Sequence, residues 1–99
     1  IHPLVRRHPV TKKPSLFLSP HTMVKIVDYD YDKGRKLLEK LIEHSTQPKY
    51  VYEHIWNNDD IVMWDNRCTM HSVKPFDNNI IKRIMHRVTL VGDKEPVMA

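Results

Sequence analysis

His71 closes the run Trp64-Asp65-Asn66-Arg67-Cys68-Thr69-Met70-His71, and twelve residues later come two arginines, Arg83 and Arg87, in Arg83-Ile84-Met85-His86-Arg87. A neutral imidazole nitrogen is a good ligand for iron and its neighbours in the transition series. A guanidinium is a permanent cation whose planar fork matches a carboxylate, phosphate or sulfonate. If residues 82–91 form a strand, period-two alternation sends Arg83, Met85 and Arg87 to one face and Ile84, His86, Val88 and Leu90 to the other. One metal ligand and two anion clamps then add up to a metal site holding an acidic ligand. The competing plain readings are a hydrogen-bonded structural histidine, and arginines tied to Asp65 or Asp77 as ordinary ion pairs.

The other reactive side chains carry less chemistry. His86 falls on the face opposite the arginines and is assigned to packing. Trp56 and Trp64 read as core, and Tyr29 and Tyr31 as core or core edge. His2, His8, His21, His44 and His54 lack the i, i+4 spacing of a helical metal site, so no role is drawn from them.

The two C-terminal segments resemble the taurine dioxygenase and 2,4-dichlorophenoxyacetate dioxygenase family, iron(II) enzymes that use 2-oxoglutarate. The resemblance reaches back through His2-Pro3-Leu4-Val5-Arg6-Arg7-His8-Pro9, Ser15-Leu16-Phe17-Leu18, Thr46-Gln47-Pro48 and Ile61-Val62-Met63-Trp64, and so covers nearly all 99 residues. It implies that His71 is the second histidine of a two-histidine, one-carboxylate iron triad. It likewise implies that Arg83 pairs with the distal carboxylate of 2-oxoglutarate, and that Arg87 meets the acidic group of the substrate or the other end of the cosubstrate. Asp65 is not a ligand in that family, which leaves it a turn or supporting role beside Arg67, also read as structural. The family's remaining two ligands come from a His-x-Asp pair, and none of the seven histidines here is followed two residues later by Asp or Glu.

Composition sets the outer limits. Ninety-nine residues make one domain at most, spanning 1–99, with a core that is marginal in size. The hydrophobic fraction of 40% and charged fraction of 28% are ordinary for a globular chain, and no apolar run approaches a membrane span or a signal peptide. The formal charge of +4 would suit nucleic acid, but acids at Asp28, Asp30, Asp32, Glu39 and Glu43 interleave with the basic runs. No aromatic or zinc-finger pattern accompanies them. Neither a nucleic-acid nor a membrane partner is expected. The single Cys68 excludes an internal disulfide and reads as a buried thiol within a strand, in keeping with a cytoplasmic protein.

The elements that must position these residues are few. Residues 4–7 and 15–18 read as a hairpin around Pro9-Val10-Thr11-Lys12-Lys13-Pro14, and residues 23–27 as a short extended piece. Leu37, Leu38, Leu41 and Ile42 form a helical stripe over residues 30–44, capped by Asp30 or Asp32, stopped by Pro48 and weakened by Gly34. Its leucine face is expected to pack on the sheet. Residues 50–56 and 61–64 read as a second hairpin around Asn57-Asn58-Asp59-Asp60, residues 82–91 as a last strand, and 92–99 as loop.

The fold expected is mainly β with one helix (α+β), the C-terminal portion of a double-stranded β-helix or jelly roll. The function expected is that of a fragment of an iron(II)- and 2-oxoglutarate-dependent dioxygenase hydroxylating a small acidic substrate, a sulfonate or carboxylate. The fragment alone would be inactive. Its partners would be the missing N-terminal segment of the same enzyme and further copies in a homo-oligomer. The alternative is a non-catalytic anion-binding module from a degenerate or truncated paralogue.

Overall fold

The computed structural model describes residues 1–92 and 97–99, arranged as two compact units. The first unit combines Ile1–Phe17 with Asp65–Ala99, and the second is Leu18–Trp64.

The first unit is built on a three-stranded antiparallel sheet in the order β2-β1-β3, where β1 is Val5–Arg7, β2 is Pro14–Leu16 and β3 is Val97–Met98. Val5 faces Leu16 and Arg7 faces Pro14 across the hairpin, while Arg6 and Arg7 face Met98 and Val97 on the other side. The expected first hairpin is therefore present, with its second strand beginning one residue earlier. Its loop turns through Lys12, at φ 61°, where a side chain is tolerated at some cost in the left-handed region. The buried side of β1 is polar. Val5 and Arg7 are exposed, whereas Arg6 and the next inward residue, His8, are buried.

The second unit carries the one helix, α1, Tyr31–Ser45. Asp30 is its N-cap, its carboxylate accepting the Lys33 N–H at 2.9 Å. At the other end Thr46 returns both its N–H and its hydroxyl to the Ile42 carbonyl, and Pro48 opens a separate 3-10 turn, Pro48–Tyr50. Leu38 is buried, Leu41 and Ile42 are half-buried and Leu37 is exposed. The documented packing of α1 is against the segment before it. Gly34 lies beside Ile26 and Tyr29, and the Arg35 guanidinium donates to the carbonyls of Met23 and Val24.

Four segments expected to be extended or strand form no ladder among the described residues. Residues 23–27, the pair 50–56 with 61–64, and 82–91 have no ladder partner. A strand is a shared structure, and strongly β-favouring residues do not make one where no neighbour supplies the opposite hydrogen-bonding edge. The turn between 50–56 and 61–64 is real, with Asp59 at φ 67° and the Asp60 N–H on the Asn57 carbonyl. The tail read as loop contributes β3 instead, its residues 93–96 lying outside those described.

With so few strands the core is small. Leu18 and Leu38 are the only buried hydrophobic side chains among the described residues. Trp56, Trp64, Tyr29 and Tyr31, expected in or at the edge of a core, are exposed, as is His86. Among the described residues nothing brings a second apolar layer over them.

Two substitutions test the helix. A Cβ on Gly34 would meet Tyr29 Cδ1 at 3.5 Å and Ile26 Cβ at 3.7 Å, ordinary van der Waals contact. Gly34→Ala is therefore expected to raise stability by up to ~1 kcal/mol through helix propensity alone. Asp30→Ala should cost about 1 kcal/mol. Circular dichroism at 222 nm through a thermal melt reads both.

Candidate functional site

The chemistry-bearing C-terminal stretch is organised by Asp65. Its carboxylate accepts the Arg67 backbone N–H at 2.9 Å, an Asx turn, and the Arg67 side chain through Nε at 2.8 Å and Nη2 at 2.5 Å. Its carbonyl accepts the N–H groups of Cys68 and Thr69 and the Thr69 hydroxyl. The same device recurs at Asp77, which accepts the Asn79 N–H at 2.8 Å on its carboxylate and those of Ile80 and Ile81 on its carbonyl. One such turn thus precedes His71 and the other precedes Arg83.

A buried histidine completes the first turn from 57 residues away. His8 Nδ1 accepts the backbone N–H groups of Val10 at 3.3 Å and Thr11 at 3.1 Å. An imidazole nitrogen that accepts carries no proton, so the proton sits on Nε2 and is donated to Asp65 Oδ2 at 3.0 Å. Arg67 first, then His8, hold the Asp65 carboxyl far below its ordinary value of 3.8.

His8, Asp65 and Cys68 form the one His/Cys/Asp/Glu cluster with metal-ligand spacing among the described residues, their ligand atoms all within 4.8 Å of one another. Its hydrogen bonding argues against a metal there. Nε2 is committed as a donor, the carboxylate is already neutralised by a guanidinium, and the Cys68 thiol is pushed up in pKa by desolvation and by the Asp65 charge. A cation would have to displace Arg67 and take protons from both other groups. Cys68 is moreover exposed in the turn rather than buried in a strand.

His71 lies two residues beyond the last hydrogen bond of the Asp65 turn and is exposed, as are Arg83 and Arg87. The Arg83 guanidinium stands over the Phe76 ring at 5.7 Å. None of the ion pairs among the described residues engages Arg83 or Arg87; Asp65, one carboxylate considered for them, belongs to Arg67 and His8. The placement of Arg83 and Arg87 on one strand face fails with the strand itself. His71 belongs to no group of three or more potential ligands among the described residues. It thus fits a metal as one exposed imidazole of a set that the described residues do not complete.

Other polar groups form local structures. In the second unit, His54 donates from Nε2 to Asp60 Oδ2 at 3.0 Å and accepts the Tyr52 hydroxyl on Nδ1 at 3.2 Å. The Asn57 N–H leads in lowering the Asp60 pKa, with His54 adding to it. An open cleft of about 240 Å³ along α1, lined by Tyr29, Lys33, Lys36, Leu37 and Lys40, holds no histidine, carboxylate or thiol. In the first unit, Arg6 donates from Nη2 to His2 Nδ1 at 3.0 Å and stacks 3.4 Å from the Phe17 centroid, its Nε without a partner.

Sequence reasoning missed His8 and Arg6. The usable signal was parity: once residues 5–7 are a strand with Val5 outward, residues 6 and 8 point inward.

A profile of the Taurine catabolism dioxygenase TauD, TfdA family matches residues 1–89. The chain belongs to that family. It is 41% identical over 90 residues to the alpha-ketoglutarate-dependent 2,4-dichlorophenoxyacetate dioxygenase of Burkholderia sp. (strain RASC), which covers 91% of this chain and 30% of that protein. It is 38% identical over 93 residues to the (S)-phenoxypropionate/alpha-ketoglutarate-dioxygenase of Sphingobium herbicidovorans, covering 94% and 32%. Among solved structures it resembles AAD-2 in complex with Mn(II) and N-oxalylglycine, with TM-score 0.73 and 51% identity over 77% of this chain and 30% of that one. The chain therefore spans about a third of the length of the relatives it matches.

The depressed Asp65 pKa fixes the sign of a pH effect. A carboxyl whose folded pKa lies below its unfolded value contributes stability in full above the unfolded value, here near 3.8, and loses it as pH falls toward the folded value. Asp65→Asn is expected to lower the melting temperature at pH 7, with the gap to the unsubstituted chain closing on acidification below about pH 4. Melts of both chains across pH 2–7 would check it.

Proposed function

We propose that these residues are the C-terminal part of an iron(II)- and 2-oxoglutarate-dependent dioxygenase with a jelly-roll fold, acting on a small carboxylate or sulfonate. The observation that carries this reading is the 51% identity to a structure holding Mn(II) and N-oxalylglycine, in a chain that has a histidine at 71 and arginines at 83 and 87. N-oxalylglycine is 2-oxoglutarate with one methylene replaced by NH, so it keeps both carboxylates. The relatives named for phenoxyacetate and phenoxypropionate support a carboxylate as the substrate's acidic group.

In this reading His71 offers one neutral imidazole nitrogen to the iron, and two further ligands come from the part of the enzyme outside these residues. When bound, iron(II) and 2-oxoglutarate supply the oxidising chemistry by which R–H, dioxygen and 2-oxoglutarate become R–OH, succinate and carbon dioxide. The chain's own groups bind and orient. Arg83 grips the distal carboxylate of 2-oxoglutarate, and Arg87 grips the acidic group of the substrate. Each does so as a permanent cation that needs no proton movement. The exposure of both arginines leaves their donors available for anions.

The exposed apolar side chains of residues 50–64 and 80–91 support the jelly-roll reading. Tyr52, Ile55, Ile61, Met63, Ile84, Val88 and Leu90 are each more than two-thirds exposed and sit in segments of strong β preference. In the whole enzyme these would be covered and paired by strands of the remaining two-thirds. A homo-oligomer would add to that coverage.

The two arginines separate in the full-length enzyme. Losing a bidentate, charge-assisted contact leaves an anion unpaired and is expected to weaken its ligand roughly a hundredfold or more. Arg83→Ala should raise chiefly the KM for 2-oxoglutarate. Arg87→Ala should raise chiefly the KM for the primary substrate and uncouple succinate release from hydroxylation. Equal effects of both changes on both ligands would overturn the division, and no effect of either would favour the plain reading of the two arginines as surface charge or ordinary ion pairs.

A further inference from the structure

We propose that His8 is a positioning residue for the His71 ligand, acting through Asp65 and the turn that follows it; this rests on the reading of His71 as an iron ligand. The relay is continuous. Two backbone N–H groups, of Val10 and Thr11, fix the tautomer and ring plane of His8. The buried ring then delivers its single N–H to Asp65 Oδ2 at 3.0 Å. Asp65 in turn gathers Arg67 on its carboxylate, and Cys68 and Thr69 on its carbonyl. The chain leaves this turn at Thr69, two residues before His71, so the direction in which residues 70–71 depart is set by a turn fastened to the buried side of β1.

Each bond in the relay has a distinct purpose. Arg67 neutralises the Asp65 charge from within the same turn. His8 lies 57 residues away on the hairpin and supplies a reference from outside the turn. Because Nδ1 is engaged by two donors, the ring cannot turn to offer its N–H elsewhere without breaking both.

Two conservative changes separate the halves of the relay. His8→Asn keeps an oxygen where Nδ1 sits, for Val10 and Thr11, but is too short to reach Asp65. His8→Gln keeps an N–H where Nε2 sits, for Asp65, but loses the acceptor near the loop. In this chain, amide exchange at Cys68 and Thr69 is expected to rise about tenfold or more in His8→Asn and little in His8→Gln, while exchange at Val10 and Thr11 shows the reverse. In the full-length enzyme, iron(II) affinity measured by metal competition should fall ~10- to 100-fold in His8→Asn and far less in His8→Gln.

Unchanged Cys68 and Thr69 exchange in His8→Asn would overturn the relay. So would loosened exchange with iron affinity intact, provided His71→Ala abolishes that affinity. Should His71→Ala leave iron binding unchanged, the ligand reading itself fails, a separate outcome. If either His8 variant loses protection throughout β1, Thr69→Val removes only the hydroxyl bond to the Asp65 carbonyl. It is expected to weaken iron in the same sense, and unaltered affinity there would also overturn the proposal.

Discussion

The Asp65 carboxylate is the junction on which the first unit depends. It lies half-buried between a guanidinium from its own turn and an imidazole from the hairpin loop, and it joins parts of the chain 57 residues apart. A surface ion pair of this kind adds little on its own. What distinguishes this one is that the imidazole is pinned by two backbone donors before it reaches the carboxylate, so little side-chain entropy remains to be lost in making the contact. The geometry also explains why a cluster with the ligand types of a metal site does not read as one: the His8 ring and the Asp65 carboxylate are already committed to hydrogen bonds, and the Cys68 thiol is held in its protonated form by desolvation and the Asp65 charge.

The remainder of the structure is governed by what is missing from a sheet. Three short strands and one helix leave Leu18 and Leu38 as the buried apolar side chains among the described residues, with aromatic and branched residues exposed from Tyr50 onward. Apolar burial is the main favourable term in folding, and a chain this poorly supplied has little to set against conformational entropy. The family relationship gives a physical reason. This chain spans about a third of the length of the relatives it matches.

What the sequence could reveal followed how local each signal was. The helix was legible because its stripe, its Asp30 cap and the stopping Pro48 all lie within one segment, and the structure moves its limits by a single residue. The first hairpin was legible for the same reason, and the turn role of Asp65 with Arg67 lies within three residues. The strands at 50–56, 61–64 and 82–91 were over-read, since β preference is local but a ladder is not. His8 could not be found because its partner is remote, and the polar side of β1 runs against the expectation that inward strand residues are apolar. The family itself was legible from Trp64-Asp65-Asn66-Arg67 with His71, and from Arg83-Ile84-Met85-His86-Arg87.

The central claim is that this chain brings one iron ligand and the anion clamps to a site completed elsewhere. Anaerobic titration of the 99-residue chain with iron(II) in the presence of 2-oxoglutarate, followed by assay for succinate, tests it most directly. A lone imidazole competes poorly with water, so the account predicts weak binding without fixed stoichiometry and no succinate release. Stoichiometric binding at micromolar iron or tighter that is lost in His71→Ala, or 2-oxoglutarate-dependent succinate formation by the chain alone, would contradict it.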